Sequence, residues 1–216
     1  AAAIEAFRLY EQHSLQSKGI VETTLDERGE YLLRHRALPM THPAEWAGGM
    51  LKDAALFHLR LFRELPAYGL TLKDALPNNI LFAKGRPCFI DFLSLVKVED
   101  LQHESWLVRY AQKKEDLRTA VLRLMFIPAF LTPLVSMSIG RYELARTMLS
   151  KQTCHPQWIP PGIQQITQER IGFRFVGTML KYRFLARAIG RMRPEAAYAT
   201  LERFIEGLHL GPRSGY

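Results

Sequence analysis

One short stretch of the chain carries an aspartate, an asparagine and a second aspartate at a spacing that suits phosphoryl transfer. Asp74 precedes Asn79 by five positions, and Asp91 follows after a hairpin-like segment. Transfer of a γ-phosphoryl group depends mainly on positioning and charge neutralisation, with one Asp orienting the acceptor hydroxyl. An Asn and a further Asp supply the oxygen ligands that Mg²⁺ prefers. The pattern therefore predicts Asp74 as the catalytic base and Asn79 and Asp91 as metal ligands.

A β-hairpin is expected to bring these three side chains together. Pro77 prevents the loop after the first aspartate from closing into a helix. The apolar run 79–82 predicts a strand, and residues 84–90 predict a turn followed by a returning strand. The second strand should then deliver Asp91 close to the start of the first.

A structural interpretation of the same residues stays open. Asp74 could cap a helix, the Asn78-Asn79 pair could make a turn, and Asp91 could be a carboxylate that ends a strand. The spacing D-x-x-x-x-N is common by chance, but its combination with a hairpin and an apolar-flanked Asp-Phe is much rarer. The sequence therefore favours the catalytic interpretation.

Residues 70–94 resemble the catalytic and metal-binding loops of the protein-kinase-like superfamily. The triplet Leu-Lys-Asp that ends at Asp74 stands where that superfamily has His-Arg-Asp. The resemblance implies that Lys73 lies near the transferred phosphoryl group and assists Asp74 in catalysis. It also implies ATP and Mg²⁺ as cofactors, with a small molecule, sugar or peptide as the phosphoryl acceptor.

A wider likeness runs through residues 33–39, 42–46 and 50–56 into the same loop. This combination resembles kinase-like domains of bacterial nodulation-type proteins, which occur together with S-adenosylmethionine methyltransferases. The resemblance implies an α+β, protein-kinase-like fold with a reduced N-terminal β-lobe and a large helical C-terminal lobe. Residues 1–40 would form the reduced lobe and hinge, and residues 41–216 the helical lobe, effectively as one domain.

The kinase-like interpretation makes Ala37–Met40 the hinge, where Leu38 and Met40 would meet the adenine ring. The sequence upstream has neither a Gly-rich phosphate loop nor a Val-Ala-x-Lys strand, and Lys18 lies at an expected helix end instead. A second class of function therefore stays open, a pseudokinase-type module that docks a partner enzyme such as a methyltransferase. The three catalytic-type residues favour the enzyme slightly.

Apolar spacing and turn residues predict the surrounding elements. In the first part of the chain these are a helix at 4–17, strands at 20–24 and 31–35, and a long helix at 45–67. Glycine and proline breaks separate the helices of the second half, which are expected at 113–127, 141–150, 163–190 and 194–208.

Composition indicates one globular unit in a reducing compartment. The 216 residues are 48% hydrophobic and 23% charged, which suffices for a full core. Cys88 and Cys154 lie far apart without metal-type spacing, so neither a disulfide framework nor a zinc site is predicted. The first residues include Glu5, Arg8 and Glu11 instead of the long apolar stretch of a secretion signal. The expected location is the cytoplasm.

An apolar run from Leu124 to Ile139 carries no charge. It is shorter than the ~20 residues that span a bilayer, and Pro128 and Pro133 interrupt it. We therefore expect a buried helix and turn of the helical lobe, and no membrane span.

Basic residues concentrate late in the chain, where aromatic residues alternate with them, and the formal net charge is +8. One interpretation is an amphipathic helix whose aromatics face the core and whose arginines face water. Another is a site for an anionic ligand or partner protein, while specific nucleic-acid binding is the least favoured. The candidate contacts for a partner are Arg174, Lys181, Arg183, Arg187 and Arg191.

Overall fold

The computed structural model of the chain describes residues 2–26, 32–150 and 175–210. These residues form helices together with small two-stranded antiparallel sheets, which confirms the predicted α+β class. Residues 27–31, Cys154, Arg174 and the start of the predicted helix at 163–190 lie outside the described residues.

The N-terminal part contains helix α1 (Ala2–Gln12), a 3-10 turn at Leu15–Lys18, and strands β1 (Thr23–Asp26) and β2 (Leu32–His35). The helix is shorter than the predicted 4–17 because Ser14 adopts a left-handed backbone with φ of 48°. β1 and β2 pair antiparallel, with Thr23 opposite His35.

Helix α2 (Gly48–Glu64) carries the chain to the candidate site, and Gly69 ends the 3-10 turn that follows it, with φ of 73°. β3 (Leu70–Leu72) pairs antiparallel with β6 (Leu95–Lys97), and β4 (Ile80–Ala83) pairs antiparallel with β5 (Arg86–Phe89). The β4–β5 hairpin lies in sequence between the two strands of the other pair. The long helix and the hairpin were both predicted, and both are confirmed.

The second half of the described chain is helical. α3 (Ser105–Tyr110) is followed by a long helix made of α4 (Leu117–Val121), a π-helical segment (Leu122–Leu131) and α5 (Thr132–Ser138). After it come α6 (Tyr142–Ser150), α7 (Val176–Ala188) and α8 (Pro194–Glu206). α4 begins later than the predicted residue 113 because the Asp116 side chain caps the helix by accepting from the Arg118 N–H.

The helix continues through Pro128, so the break expected there does not occur. Proline lacks an N–H and clashes with the carbonyl four residues before it, and the wider π-helical turn leaves more room for the ring. The N–H of Thr132 accordingly reaches the carbonyl of Ile127, five residues back.

The helix over Leu117–Ser138 is long and apolar enough to cross a membrane by length and composition, but 83% of its most apolar window is buried inside the structure. The expectation of a buried core helix is confirmed by this burial. α2 packs against α8 and the π-helical segment, and the rings of Phe62 and Tyr198 stack at 5.9 Å between centroids. α2 also contacts β3 and the 3-10 turn at Pro77–Asn79, so this packed helix supports the loop that follows β3.

Candidate functional site

The first two predicted site residues lie together in the loop between β3 and β4. Asp74 follows β3, and Asn79 ends a 3-10 turn that begins at Pro77. The side-chain amide Nδ2 of Asn79 donates a hydrogen bond of 2.5 Å to Oδ1 of Asp74. Asn79 is only 8% exposed. The loop therefore holds this carboxylate in a fixed direction.

The hairpin returns Asp91 to the same place. Lys84 and Gly85 both adopt positive φ, 50° and 75°, which is the geometry of a tight two-residue turn. Beyond the last pair of the ladder, the N–H of Ile90 donates to the carbonyl of Asn79 at 2.8 Å. Asp91 follows directly, and its charge reaches Asp74.

The β3–β6 pair closes the site from the other side. The N–H of Lys73 donates to the carbonyl of Ser94 at 2.9 Å. The Ser94 side chain is buried. Its hydroxyl lies next to the Asp74 side chain and stabilises the charged carboxylate. The contact does not reach full hydrogen-bond geometry. Sequence reasoning missed Ser94, because its proximity to Asp74 arises from strand pairing.

The carboxyl group of Asp74 titrates well above its usual range. Burial is the main cause, and the neighbouring charge of Asp91 adds to it, so that the pKa of Asp74 rises to about 6. Ser94, Lys73 and Asn79 oppose this rise by stabilising the anion. A carboxylate with this pKa is close to the proton affinity that general-base catalysis near neutral pH requires.

A buried histidine of α2 supports the Asp74 backbone. Nε2 of His58 lies 3.4 Å from the Asp74 carbonyl, and since a carbonyl can only accept, Nε2 carries the proton. Nδ1 has no partner among the described residues, and burial lowers the pKa of His58 to about 4. The ring packs among Phe62, Phe89 and Phe130. The sequence signal that could have identified His58 was its position on the apolar face of the predicted 45–67 helix.

Lys73 points its ammonium group at a carboxylate that sequence reasoning did not single out. Nζ of Lys73 lies 3.4 Å from Oε1 of Glu104, the residue that precedes α3. Both side chains are about one-third exposed or less. The positive charge that was predicted to meet a phosphoryl group is therefore paired within the chain.

Leu38 and Met40, the predicted adenine contacts, lie in an irregular segment after β2. Leu38 is half-buried, whereas Met40 is 86% exposed and so contacts little that could flank a ring. Near the end of β2, the ring of His35 lies 6.0 Å from the ring of Phe92, next to Asp91. The segment thus starts close to the site, and the role of Leu38 and Met40 as adenine contacts stays a prediction.

The donor set at the site fits Mg²⁺. The described residues contain no group of three or more His, Cys, Asp or Glu side chains that could hold a metal ion. The predicted ligands are instead the Asp91 carboxylate and the Asn79 amide, with the Asp74 carboxylate beside them, and their oxygen atoms are the ligands that Mg²⁺ prefers. A cation between Asp74 and Asp91 would also relieve the repulsion that raises the Asp74 pKa.

The late basic residues lie partly on the exposed side of α7. Of the predicted contacts, Lys181, Arg183, Arg187 and Arg191 are exposed, and Arg174 lies outside the described residues. Tyr182 is buried, as expected if the aromatics of this region face the core. Phe184 is 65% exposed, so that expectation is wrong for this residue.

Comparison with known proteins gives one limited similarity. No family model matches the chain. The chain is similar to Nodulation protein NoeA of Rhizobium meliloti (strain 1021), with 44% identity over 72 residues, which is 33% of this chain and 15% of NoeA. The match thus spans about one-seventh of that relative, and it shows a relationship over that segment without fixing the family of the whole chain.

Proposed function

We propose that the chain is a kinase-like phosphotransferase that acts with ATP and Mg²⁺ on a small molecule, sugar or peptide. The observation that carries this proposal is the Asp74 carboxylate, held by the Asn79 amide at 2.5 Å and set beside a second carboxylate at Asp91. Asp74 would be the catalytic base, with Lys73 assisting it. Asn79 and Asp91 would hold Mg²⁺.

The chemistry proposed for Asp74 follows from its surroundings. With a pKa of about 6 the carboxylate is mostly ionised at neutral pH, yet it binds a proton more readily than an ordinary aspartate. The hydrogen bond from Asn79 fixes one oxygen, so the other can orient an acceptor hydroxyl and take its proton. Mg²⁺, when bound, would neutralise charge on the phosphate oxygens.

A kinase-like fold is part of the same proposal. The resemblance of residues 70–94 supports it, as does the nesting of the β4–β5 hairpin inside the β3–β6 pair. Residues 1–40 would be a reduced β-lobe and hinge, and residues 41–216 a helical lobe in the same domain. The proposed location is the cytoplasm. Leu38, which is half-buried, and Met40 are the proposed adenine contacts.

The test is a pair of isosteric variants. Asp74→Asn removes the charge but keeps the size and the acceptor for Asn79, so phosphate transfer should fall by about 10² or more while the fold is kept. Asp53→Asn is the matched control, because Asp53 is exposed on α2. Transfer would be measured as ADP formation with Mg²⁺ and a panel of sugars, metabolites and peptides.

A second candidate function is a pseudokinase-type module that docks a partner enzyme such as a methyltransferase. Two observations favour it: Lys73 is already paired with Glu104, and Met40 is 86% exposed. In that case Asp74→Asn should leave unchanged the amount of product that the partner enzyme forms. Charge reversal at Arg183 and Arg187 should instead weaken the complex and eliminate the product, and the two results together would contradict the phosphotransferase proposal.

A further inference from the structure

Helix α7 has one anchored face and one open face. Met179, Tyr182 and Leu185 are buried. The hydroxyls of Tyr182 and Thr132 share a buried hydrogen bond of 2.9 Å that ties α7 to α5. The orientation of α7 is therefore fixed, and so is the identity of the side chains that it turns outward.

The outward face carries a row of large apolar side chains. Val176, Leu180 and Phe184 follow one another at four-residue spacing, with exposed fractions of 40%, 60% and 65%. Residues four apart are neighbours on a helix surface, so these side chains form a continuous apolar row. Contiguous exposed apolar surface with a polar border is typical of interaction sites.

Arginines border this row and shape it into a groove. Arg183, Arg187 and Arg191 repeat at the same four-residue spacing and are exposed. The groove has a volume of about 440 Å³ and is lined by Leu180, Arg183, Phe184, Arg187, Ala188 and Arg191.

These three arginines differ from others in the described chain. Arg118 pairs with Asp116 at 2.9 Å, and Arg123 pairs with the fully buried Glu115 at 2.7 Å. No carboxylate among the described residues pairs with any of the three arginines of the groove. α7 positions Arg183 and Arg187, and the 3-10 turn that follows it positions Arg191. None of the three is neutralised, which leaves them able to bind carboxylates from another molecule.

We propose that this face binds an acidic amphipathic helix of a partner protein. An apolar side chain of that helix would fill the groove between Leu180 and Phe184, and its carboxylates would pair with the three arginines. A second copy of the chain would bring like charges together, which opposes self-association through this face. The proposal does not rest on the phosphotransferase activity.

The experiment uses a synthetic helical peptide with leucines at four-residue spacing flanked by glutamates, and a matched peptide with glutamines in place of the glutamates. Calorimetry should detect binding of the glutamate peptide only. Arg183→Glu with Arg187→Glu should weaken binding tenfold or more, and Phe184→Ser should do the same. Arg146→Glu, at an exposed position of α6, is the control and should change affinity less than twofold.

Three results would overturn the proposal. The first is equal binding of both peptides, or none up to millimolar concentration. The second is binding to phosphatidylglycerol vesicles, with the same dependence on Phe184 and the arginines, in place of the peptide; this would assign the face to membranes. The third is a concentration-dependent dimer in sedimentation that Phe184→Ser abolishes. Circular dichroism confirms that each variant folds, and Leu180→Gln replaces Phe184→Ser if the latter does not.

Discussion

Two titrating groups at the site should affect stability in opposite directions over the same pH range, and single substitutions should separate them. The ring of His58 lies 3.4 Å from the backbone carbonyl of Asp74, the residue that carries the other titrating group. Asp74→Asn removes the first titration and keeps the acceptor for Asn79. His58→Leu removes the second and keeps an apolar side chain among the phenylalanine rings.

The sign for Asp74 follows from its raised pKa. Between about pH 4 and 6 the folded protein retains a proton on Asp74 that the unfolded chain has released, so stability falls as pH rises. Moving this pKa from 3.8 to about 6 corresponds to about 3 kcal/mol, because one pH unit is worth about 1.4 kcal/mol.

The sign for His58 is opposite. Between about pH 6.5 and 4 the unfolded chain binds a proton that the buried ring does not, so stability falls as pH decreases. The change of this pKa from 6.5 to about 4 again corresponds to about 3 kcal/mol. In the wild type the two contributions largely cancel.

The assay is urea unfolding followed by circular dichroism from pH 4 to 7.5 at constant ionic strength. The unfolding free energy of Asp74→Asn minus that of the wild type should increase by about 3 kcal/mol as pH rises from 4 to 7. The corresponding difference for His58→Leu should decrease by a similar amount. Flat differences for both site variants, or differences of the same sign, would refute the electrostatic reasoning.

Three further outcomes are expected. In the phosphotransferase assay, turnover should rise with pH through an apparent pKa no higher than about 6, because Asp74 must be ionised to accept a proton and bound Mg²⁺ favours the ionised form, and turnover that increases as the pH is lowered from 8 to 5 would contradict this. Gly190→Ala should lower stability by about 1–3 kcal/mol in thermal unfolding, since a Cβ there would clash with the Glu115–Arg123 ion pair. Gly177→Ala, which meets nothing within 4 Å on α7, should instead be neutral or raise stability by up to about 1 kcal/mol. Glu104→Gln should change stability by less than about 0.5 kcal/mol, because its pair with Lys73 is partly exposed, and should strengthen pyrophosphate binding if the freed ammonium meets phosphate.

The sequence was sufficient to predict the hairpin and its neighbourhood, because local rules determine them. A Lys-Gly pair between two apolar runs specifies a tight turn with positive φ, and the turn sets the register that returns Asp91 to Asn79. The long helix before the site was equally visible in its apolar spacing. The observed helix spans residues 48–64 instead of the predicted 45–67. At its C-terminal end a 3-10 turn follows, so the regular α-helix ends earlier than predicted.

Contacts between residues that are far apart in the sequence determine the features of the site and fold that sequence reasoning missed. Ser94 faces Asp74 only because β6 pairs with β3, and Glu104 reaches Lys73 only because α3 begins beside that pair. The π-helical turn at Pro128 likewise depends on burial among neighbouring helices, which overrides the usual tendency of proline to end a helix. No local pattern encodes these contacts.

The spacing of the aromatic residues in α7 indicates that one ring is exposed. The interpretation in which the aromatics all face the core did not take this spacing into account. Successive residues of an α-helix are about 100° apart, so Tyr182 and Phe184 must point to nearly opposite sides. Once one of them enters the core the other must face outward, as their burial shows. Aromatic residues two apart in a basic helix therefore indicate an exposed ring beside cations, which is the surface that we propose for an acidic partner helix.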